Sequence, residues 1–347
     1  MTRKGALVSP FRRPSCWNPS DRLNHHKNRR HQMPWDIFTG SGVPNVADAW
    51  RQIPGPPPWR DRAAVRTLFV PTPELLQAVN AALHLRRPLL LTGSPGSGKS
   101  MLASVIADEL DLGQLLEWHV TSRSTLADAL YQYDALGRLH ATQAGPASGD
   151  IADHVEDFVT LGPLGTALAS ADRPRAVLID EIDKSDLDLP GDLLHVLELG
   201  EFDIPPLVRA ARNSDVQVAE TYRVRGADRA VYGVPEGVVR RAHMPVIILT
   251  SNGERTFPPP FLRRCVRFEM PTPDESFLKE VVAAHLGDAA EQQQEIIREF
   301  AARLVAGETL ALDQLLSLVY LVTGEAAPGT EARSKLEAIL LAELTGR

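Results

Sequence analysis

The chain is short of cysteine, of long apolar runs and of positive charge, and each shortage removes a class of protein. Two cysteines occur in 347 residues, Cys16 in a basic stretch and Cys265 beside arginines. They can build neither a disulfide framework nor a cysteine zinc cluster, so a reducing, cytoplasmic setting is expected. No apolar run approaches the roughly 18 uninterrupted residues that a membrane span needs. The longest, around Leu83 to Leu91 and Val246 to Leu249, are strand-sized, and a soluble protein without a span is expected. The formal charge is −7, yet residues 1–31 carry eight Lys/Arg against one Asp, which is +7 and leaves −14 for the rest. An acidic body repels a phosphate backbone, so nucleic acid is not the expected partner.

The basic stretch holds Arg12, Arg13, His25, His26, Lys27, Arg29, Arg30 and His31. It lacks the apolar core of a signal peptide, and residues 1–32 are expected to be a disordered tail. Its histidines have no carboxylate or thiolate company, so a zinc site is not expected there. Met33 opens the more structured text Met33-Pro34-Trp35-Asp36-Ile37-Phe38 and is an alternative start.

At 44% hydrophobic and 23% charged, the chain can fill one sizeable α/β core and a smaller accessory domain. Residues 33–60 end in Pro54-Gly55-Pro56-Pro57-Pro58-Trp59-Arg60, too rich in proline for helix or central strand. They read as an extended arm packed by its tryptophans. From Pro73 a helical pattern with Leu75, Leu76, Val79, Ala82 and Leu83 leads into Pro88-Leu89-Leu90-Leu91-Thr92, a buried strand. Strand-like runs recur at Leu115 to Val120, Ala176 to Ile179, Val246 to Thr250 and Cys265 to Met270, with helical patterns between several of them. The alternation predicts an α/β domain over 61–271, a parallel sheet sandwiched by helices. Beyond Pro271 the pattern is helical only, at about 274–286, 289–305, 311–323 and 331–345, which predicts an all-helical lid over 272–347. Between Glu201 and Arg240, short alternating pieces such as Val216-Gln217-Val218 and Tyr222-Arg223-Val224 read as a β-hairpin insertion rather than core.

The chemistry sits in two places. Gly93-Ser94-Pro95-Gly96-Ser97-Gly98-Lys99-Ser100 matches G-x-x-x-x-G-K-[ST] between a strand and the helix that begins near Met101. The glycines turn backbone N–H groups onto phosphate, the helix N-terminus adds positive charge, and Lys99 reaches the β and γ oxygens. Gly93, Ser94, Pro95, Gly96, Ser97, Gly98, Lys99, Ser100 and Met101 are therefore the candidate ATP-binding set, with Ser100 a Mg²⁺ ligand. The plainer reading is a glycine turn joining strand to helix. Val177-Leu178-Ile179-Asp180-Glu181 ends a buried strand in two carboxylates, expected beside the phosphate-loop strand, where ligands gather at strand ends. Asp180 is the second Mg²⁺ candidate, and Glu181 is placed to polarise the water that attacks the γ-phosphorus. Otherwise the two acids simply cap the next helix.

Leu249-Thr250-Ser251-Asn252 and Pro258-Pro259-Pro260-Phe261-Leu262-Arg263-Arg264-Cys265 bring a family into view. Together with the phosphate loop and the acidic strand end, they make the chain resemble the AAA+ P-loop ATPases, and within them the MoxR-type branch, over about residues 60–325. The resemblance implies that Asn252 is the polar sensor that helps place the lytic water. It also implies that Arg264, or else Arg263, is an arginine finger completing the ATP site of a neighbouring subunit. Segments near 131–163 and 201–240 resemble the branch's insertions, which face a ring pore or a client; as bare sequence they are surface loops. Where relatives carry a basic sensor in the lid, this chain has Leu310-Ala311-Leu312-Asp313-Gln314, which leaves Arg303 as the nearest alternative. Thr121 and Ser122 lie where relatives place a polar switch, although such residues end strands commonly.

The implied function is a homo-oligomeric, hexameric ring that hydrolyses ATP with Mg²⁺ to remodel or assemble a partner protein. The branch suggests a client of the von Willebrand factor A kind. One alternative is a nucleotide-gated scaffold with little turnover. The other is a nucleic-acid motor, for which Arg209-Ala210-Ala211-Arg212 and Arg240-Arg241 would have to be gathered in a pore.

Overall fold

Runs of Leu, Ile and Val form Leu89–Thr92, Ala176–Asp180 and Val246–Ser251, the central strands of the main sheet, while the other strands are mixed apolar and polar. In chain order the strands are β1 (Leu89–Thr92), β2 (Leu116–His119), β3 (Tyr131–Tyr133), β4 (Val159–Leu161), β5 (Ala176–Asp180), β6 (Glu201–Asp203), β7 (Thr221–Arg225), β8 (Val231–Pro235), β9 (Val238–Arg240), β10 (Val246–Ser251) and β11 (Val266–Glu269). The helices of the sheet domain are α1 (Pro73–Leu85), α2 (Lys99–Glu109), α3 (Leu126–Leu130), α4 (Ala135–Gln143), α5 (Pro163–Ala169), α6 (Leu189–Leu199), α7 (Pro205–Asn213) and α8 (Pro259–Leu262). The helices that follow are α9 (Glu275–Leu286), α10 (Ala289–Gln292), α11 (Gln294–Val305), α12 (Leu312–Thr323) and α13 (Thr330–Leu340). This computed structural model describes residues 53–60, 69–143, 154–213, 221–324 and 327–342, with positions 35, 37, 38 and 51. The expectations for the basic tail, for Met33 and for Val216-Gln217-Val218 lie outside the described residues. Pro54–Arg347 is one compact unit and carries every element named above.

Five strands make a parallel sheet in the order β11-β1-β10-β5-β2. Its side chains alternate between two cores, as a two-residue period requires. Leu90, Val177, Ile179, Ile247 and Leu249 face one core, shared with Leu164, Leu193 and the inserted strands. Leu89, Leu91, Leu178 and Ile248 face the other, against Leu75 and Val79 of α1 and Leu102 and Ile106 of α2. The fold is α/β, a parallel sheet flanked by helices and followed by a helical segment with its own core of Leu278, Ile297, Phe300, Leu315 and Val319.

Three expectations need correction. The acidic strand β5 does not lie beside β1, because β10 is hydrogen-bonded between them, with Leu249 level with both Leu90 and Ile179. Parallel strands are joined by crossovers, so sequence order does not set neighbours. The two inserted segments are not separate hairpins. Strand β4 pairs antiparallel with β3 and parallel with β7, giving one four-stranded sheet β3-β4-β7-β8, while β6 and β9 form a ribbon of their own. The 201–240 span also contains α7, anchored by fully buried Leu207. In the lid, the pattern over 289–305 breaks at Gln293 (φ −118°, ψ 34°) into α10 and α11.

The inserted sheet shares an apolar core with the main one, and close backbone and polar contacts hold it there. A Cβ on Gly165 of α5 would stand 1.8 Å from the Leu130 carbonyl oxygen at the end of α3, so only glycine allows that approach. Arg175, just before β5, donates to Asp228 at 2.7 Å, to the Tyr232 hydroxyl at 2.8 Å and to the Gln114 carbonyl at 2.9 Å. Burial pushes the Asp228 carboxyl upward, but hydrogen bonds from Tyr232, Arg175 and the Ala230 N–H, with the Arg175 charge, outweigh it and hold it below its ordinary value.

Candidate functional site

The phosphate loop leaves β1 at Gly93 and enters α2 at Lys99, with Gly96 (φ 73°) and Gly98 (φ 85°) in left-handed conformations that suit glycine. Lys99 is buried within the loop, where its ammonium donates to the Gly93 carbonyl at 2.7 Å and the Ser94 carbonyl at 2.8 Å. Burial lowers its pKa, opposed by the charges of Asp180, Asp183 and Glu181. The Ser100 hydroxyl, on the first turn of α2, donates to Asp180 Oδ1 at 2.8 Å. Loop and acidic strand end are thus joined across the intervening β10.

That strand supplies the bridge. The Thr250 hydroxyl, 1% exposed, donates to Asp180 Oδ1 at 2.6 Å and accepts the Glu181 N–H at 2.9 Å. Glu181 itself takes a left-handed backbone (φ 58°, ψ 46°), uncommon for a residue with a side chain. There the chain turns out of β5 into a 3₁₀ turn, Ile182–Lys184. The Glu181 carboxylate accepts from Lys184 Nζ at 2.7 Å and from Asn252 Nδ2 at 3.4 Å. The Glu181 hydrogen bond is the main cause raising the Lys184 pKa.

Lys99, Ser100, Asp180, Glu181 and Asn252 therefore share the carboxyl edge of the sheet. Arg264, just past α8, is not with them. Arg264 pairs with Glu198 of α6, both side chains about half exposed at 49% and 54%. Arg303 is bonded within the lid, to Glu308 at 2.7 Å and to the Leu341 carbonyl at 2.7 Å. Thr121 is occupied by its own turn, its N–H on Ser124 Oγ at 2.9 Å. Arg240 pairs with Glu201, and Arg241 donates to the Leu197 and Glu198 carbonyls, so this pair is committed within the chain rather than set out along a nucleic-acid track.

Four features were missed in the sequence. Thr250 and Asp183 both contact the site residues, and His119 Nδ1 lies 3.2 Å from Asp180 Oδ2. The fourth is a cavity of about 390 Å³ against the loop. Gly96, Gly98 and Met101 line it beside Phe69 and Val70, with Phe277, His285 and Leu312 of the lid opposite and Trp59 of the arm at one side. Trp59 meets Tyr320 edge-on at 5.5 Å, so the tryptophan packing expected of the arm falls on the lid. Ala311, ahead of α12, abuts the loop so closely that a Cβ on Gly96 would lie 2.6 Å from its own.

A hydroxyl and a carboxylate are hard oxygen donors of the kind Mg²⁺ takes. Among the described residues no group of three or more His, Cys, Asp or Glu is arranged to hold a metal. An ion at Ser100 and Asp180 would therefore complete its shell with phosphate oxygens and water. The site fits Mg²⁺ carried with a nucleotide.

A glycine loop between β1 and α2, facing a carboxylate pair across one strand, defines a P-loop nucleoside-triphosphatase domain. The chain belongs to the family described as AAA domain (dynein-related subfamily), which matches residues 88–265, just over half of it. Such domains are in general ATPases that use ATP with Mg²⁺ and commonly assemble as rings. No curated protein matches the chain. Among solved structures, the Thermotoga maritima RuvB Holliday junction branch migration motor is similar at 16% identity and a TM-score of 0.37, covering 77% of this chain and 67% of that one. A mutant of the same protein matches at 16% and 0.37 over 80% of this chain and 69% of its own. No helix among the described residues is long and apolar enough to cross a membrane.

Proposed function

We propose that this chain is a MoxR-like ATPase, working as a homo-oligomeric, hexameric ring that hydrolyses ATP with Mg²⁺ to remodel or assemble a partner protein. The observation that carries the hydrolytic part is the polar chain from Ser100 through Asp180 and Thr250 to the Glu181 backbone. It supports reading Ser100 and Asp180 as the metal-binding pair and Glu181 as the general base, held on one frame.

Lys99 and the loop N–H groups hold the β- and γ-phosphates, and the cavity beneath Phe69 and Phe277 takes the nucleoside. Ser100 and Asp180 hold the Mg²⁺, which when bound balances charge on the β and γ oxygens. Glu181 orients and polarises the attacking water, and Asn252 steadies the Glu181 carboxylate at 3.4 Å. Arg264 exchanges its Glu198 partner for the γ-phosphate of a neighbouring subunit. The insertions, facing a pore or client, transmit the cycle to the partner protein, in the MoxR pattern one of the von Willebrand factor A kind.

The test is nucleotide binding and turnover in Glu181→Gln. Binding of a fluorescent ATP analogue should stay within about threefold of wild type while turnover falls at least a hundredfold, as expected when an interaction made only in the transition state is removed. Full turnover in Glu181→Gln would remove Glu181 from the mechanism. Binding without wild-type turnover at any protein concentration would favour the nucleotide-gated scaffold.

A further inference from the structure

Asp183 lies three residues beyond the metal-binding candidate and is 5% exposed. Its Oδ2 accepts the backbone N–H of Asn252 at 2.9 Å and of Glu254 at 3.1 Å. Its Oδ1 is buried with no hydrogen-bond partner. A carboxylate taken out of water with half its acceptors idle is unfavourable in itself, so it calls for an explanation in what it holds. What it holds is the loop that leaves β10. Gly253 there is left-handed (φ 79°) with open space around it, and Glu254 is exposed, so the loop has little packing of its own.

A second tie runs the other way. Arg255 donates to the Ser185 carbonyl at 2.7 Å and the Asp186 carbonyl at 3.0 Å, just past the 3₁₀ turn. Asp183 and Arg255 thus lace the turn that carries Glu181 to the loop that carries Asn252. We propose that Asp183 is a positioning residue for hydrolysis: by holding the 252–254 backbone against the turn, it sets the Asn252 side chain on the Glu181 carboxylate. The proposal rests on the ATPase reading above and concerns how its sensor is held.

Two measurements on the full-length protein separate the proposal from that reading. The first is amide hydrogen exchange without nucleotide. In Asp183→Ala the Asn252 and Glu254 N–H groups lose their acceptor, and exchange across residues 252–257 should speed by about tenfold or more, local opening being what exchange reports. The second is a double-mutant cycle on turnover. Asp183→Ala should lower kcat about thirtyfold with nucleotide Kd within about threefold, a loss confined to the chemical step. In an Asn252→Ala background it should lower kcat no further.

Asp183→Asn keeps an oxygen that can accept both N–H groups and drops the charge that reaches Lys99. It should restore slow exchange and at least about a third of kcat, as shape-preserving rescue of a hydrogen bond does. Fast exchange with undiminished kcat overturns the proposal, as does an undiminished Asp183→Ala effect in the Asn252→Ala background. Should Asp183→Ala fail to fold, Asp183→Asn decides: slow exchange with kcat lost by more than about tenfold overturns it in favour of a role for charge. A wild type without turnover sinks the ATPase reading, and with it the role in hydrolysis, and leaves only the clamp to the exchange measurement. Exchange unchanged by Asp183→Ala sinks the clamp.

Discussion

At the scale of single residues, the site depends on a threonine that no motif announces. Thr250 Oγ1 serves Asp180 and the Glu181 N–H at once, and Glu181 sits in a left-handed conformation that needs such support. Thr250→Val keeps the volume and removes the hydroxyl, leaving the Glu181 N–H without an acceptor. That should cost about 1–3 kcal/mol in stability, and turnover should fall at least about tenfold as the carboxylates lose their common frame. Thermal melts and steady-state kinetics check both, with Thr250→Ser recovering most of each. A Val variant with unchanged melting and turnover would make the hydroxyl a bystander. The motifs name Lys99, Ser100, Asp180 and Glu181 because phosphate chemistry demands fixed residue types at fixed spacing, whereas Asn252 entered only through the family resemblance. Thr250, His119 and Asp183 stay hidden because their value depends on strand register, and register is not written in spacing: Leu249 had to be level with Ile179 before Thr250 could reach Asp180.

At the scale of elements, the strands and lid helices are legible because their apolar periods are strong, whereas the order of strands is not. The inserted sheet is the clearest case. Strands β3 and β4 are separated from β7 by the whole of β5 and α6, and nothing local to Val159–Leu161 says that it accepts a neighbour on both sides. This sheet shares an apolar core with the main one, and the Arg175–Asp228–Tyr232 cluster, whose ion-pairing side chains are each 8% exposed, adds a polar tie. The Asp228 carboxyl is held below its ordinary value, so its contribution to stability is complete above the unfolded value of 3.8 and is lost as pH falls through the lower folded one. Asp228→Asn should therefore lower the melting temperature most at neutral pH, and the gap from wild type should narrow and close as pH falls below 3.8 and through the lower folded value. A gap independent of pH would mean that packing, not charge, makes the tie. The lid meets the loop by contact rather than by charge, Ala311 against Gly96, so Gly96→Ala should abolish nucleotide binding at any pH through clash and left-handed strain. Nucleotide titration of that variant is the check, and retained affinity would show that the lid can yield.

For the whole molecule, the deciding question is whether a site is completed by its neighbour. Arg264 pairs with Glu198 at a half-exposed surface, where an ion pair contributes at most about 1 kcal/mol. Breaking it to reach a phosphate across an interface costs little, and a guanidinium arriving there accelerates hydrolysis by about 10³ to 10⁵. Turnover per subunit should then rise with protein concentration as light scattering reports assembly, and Arg264→Ala should lose turnover while melting at the wild-type temperature. The sharper experiment mixes two inactive proteins. Glu181→Gln subunits lack the base but keep Arg264, and Arg264→Ala subunits keep the base. In a ring where each site takes its arginine from the next subunit, equal and random mixing makes about a quarter of the interfaces complete. The mixture should therefore recover up to about a quarter of wild-type turnover, although neither protein turns over alone. An arginine acting within its own subunit can never be restored this way, so a mixture as inactive as its parts, in rings shown by scattering to have exchanged subunits, would place Arg264 outside the neighbour's site.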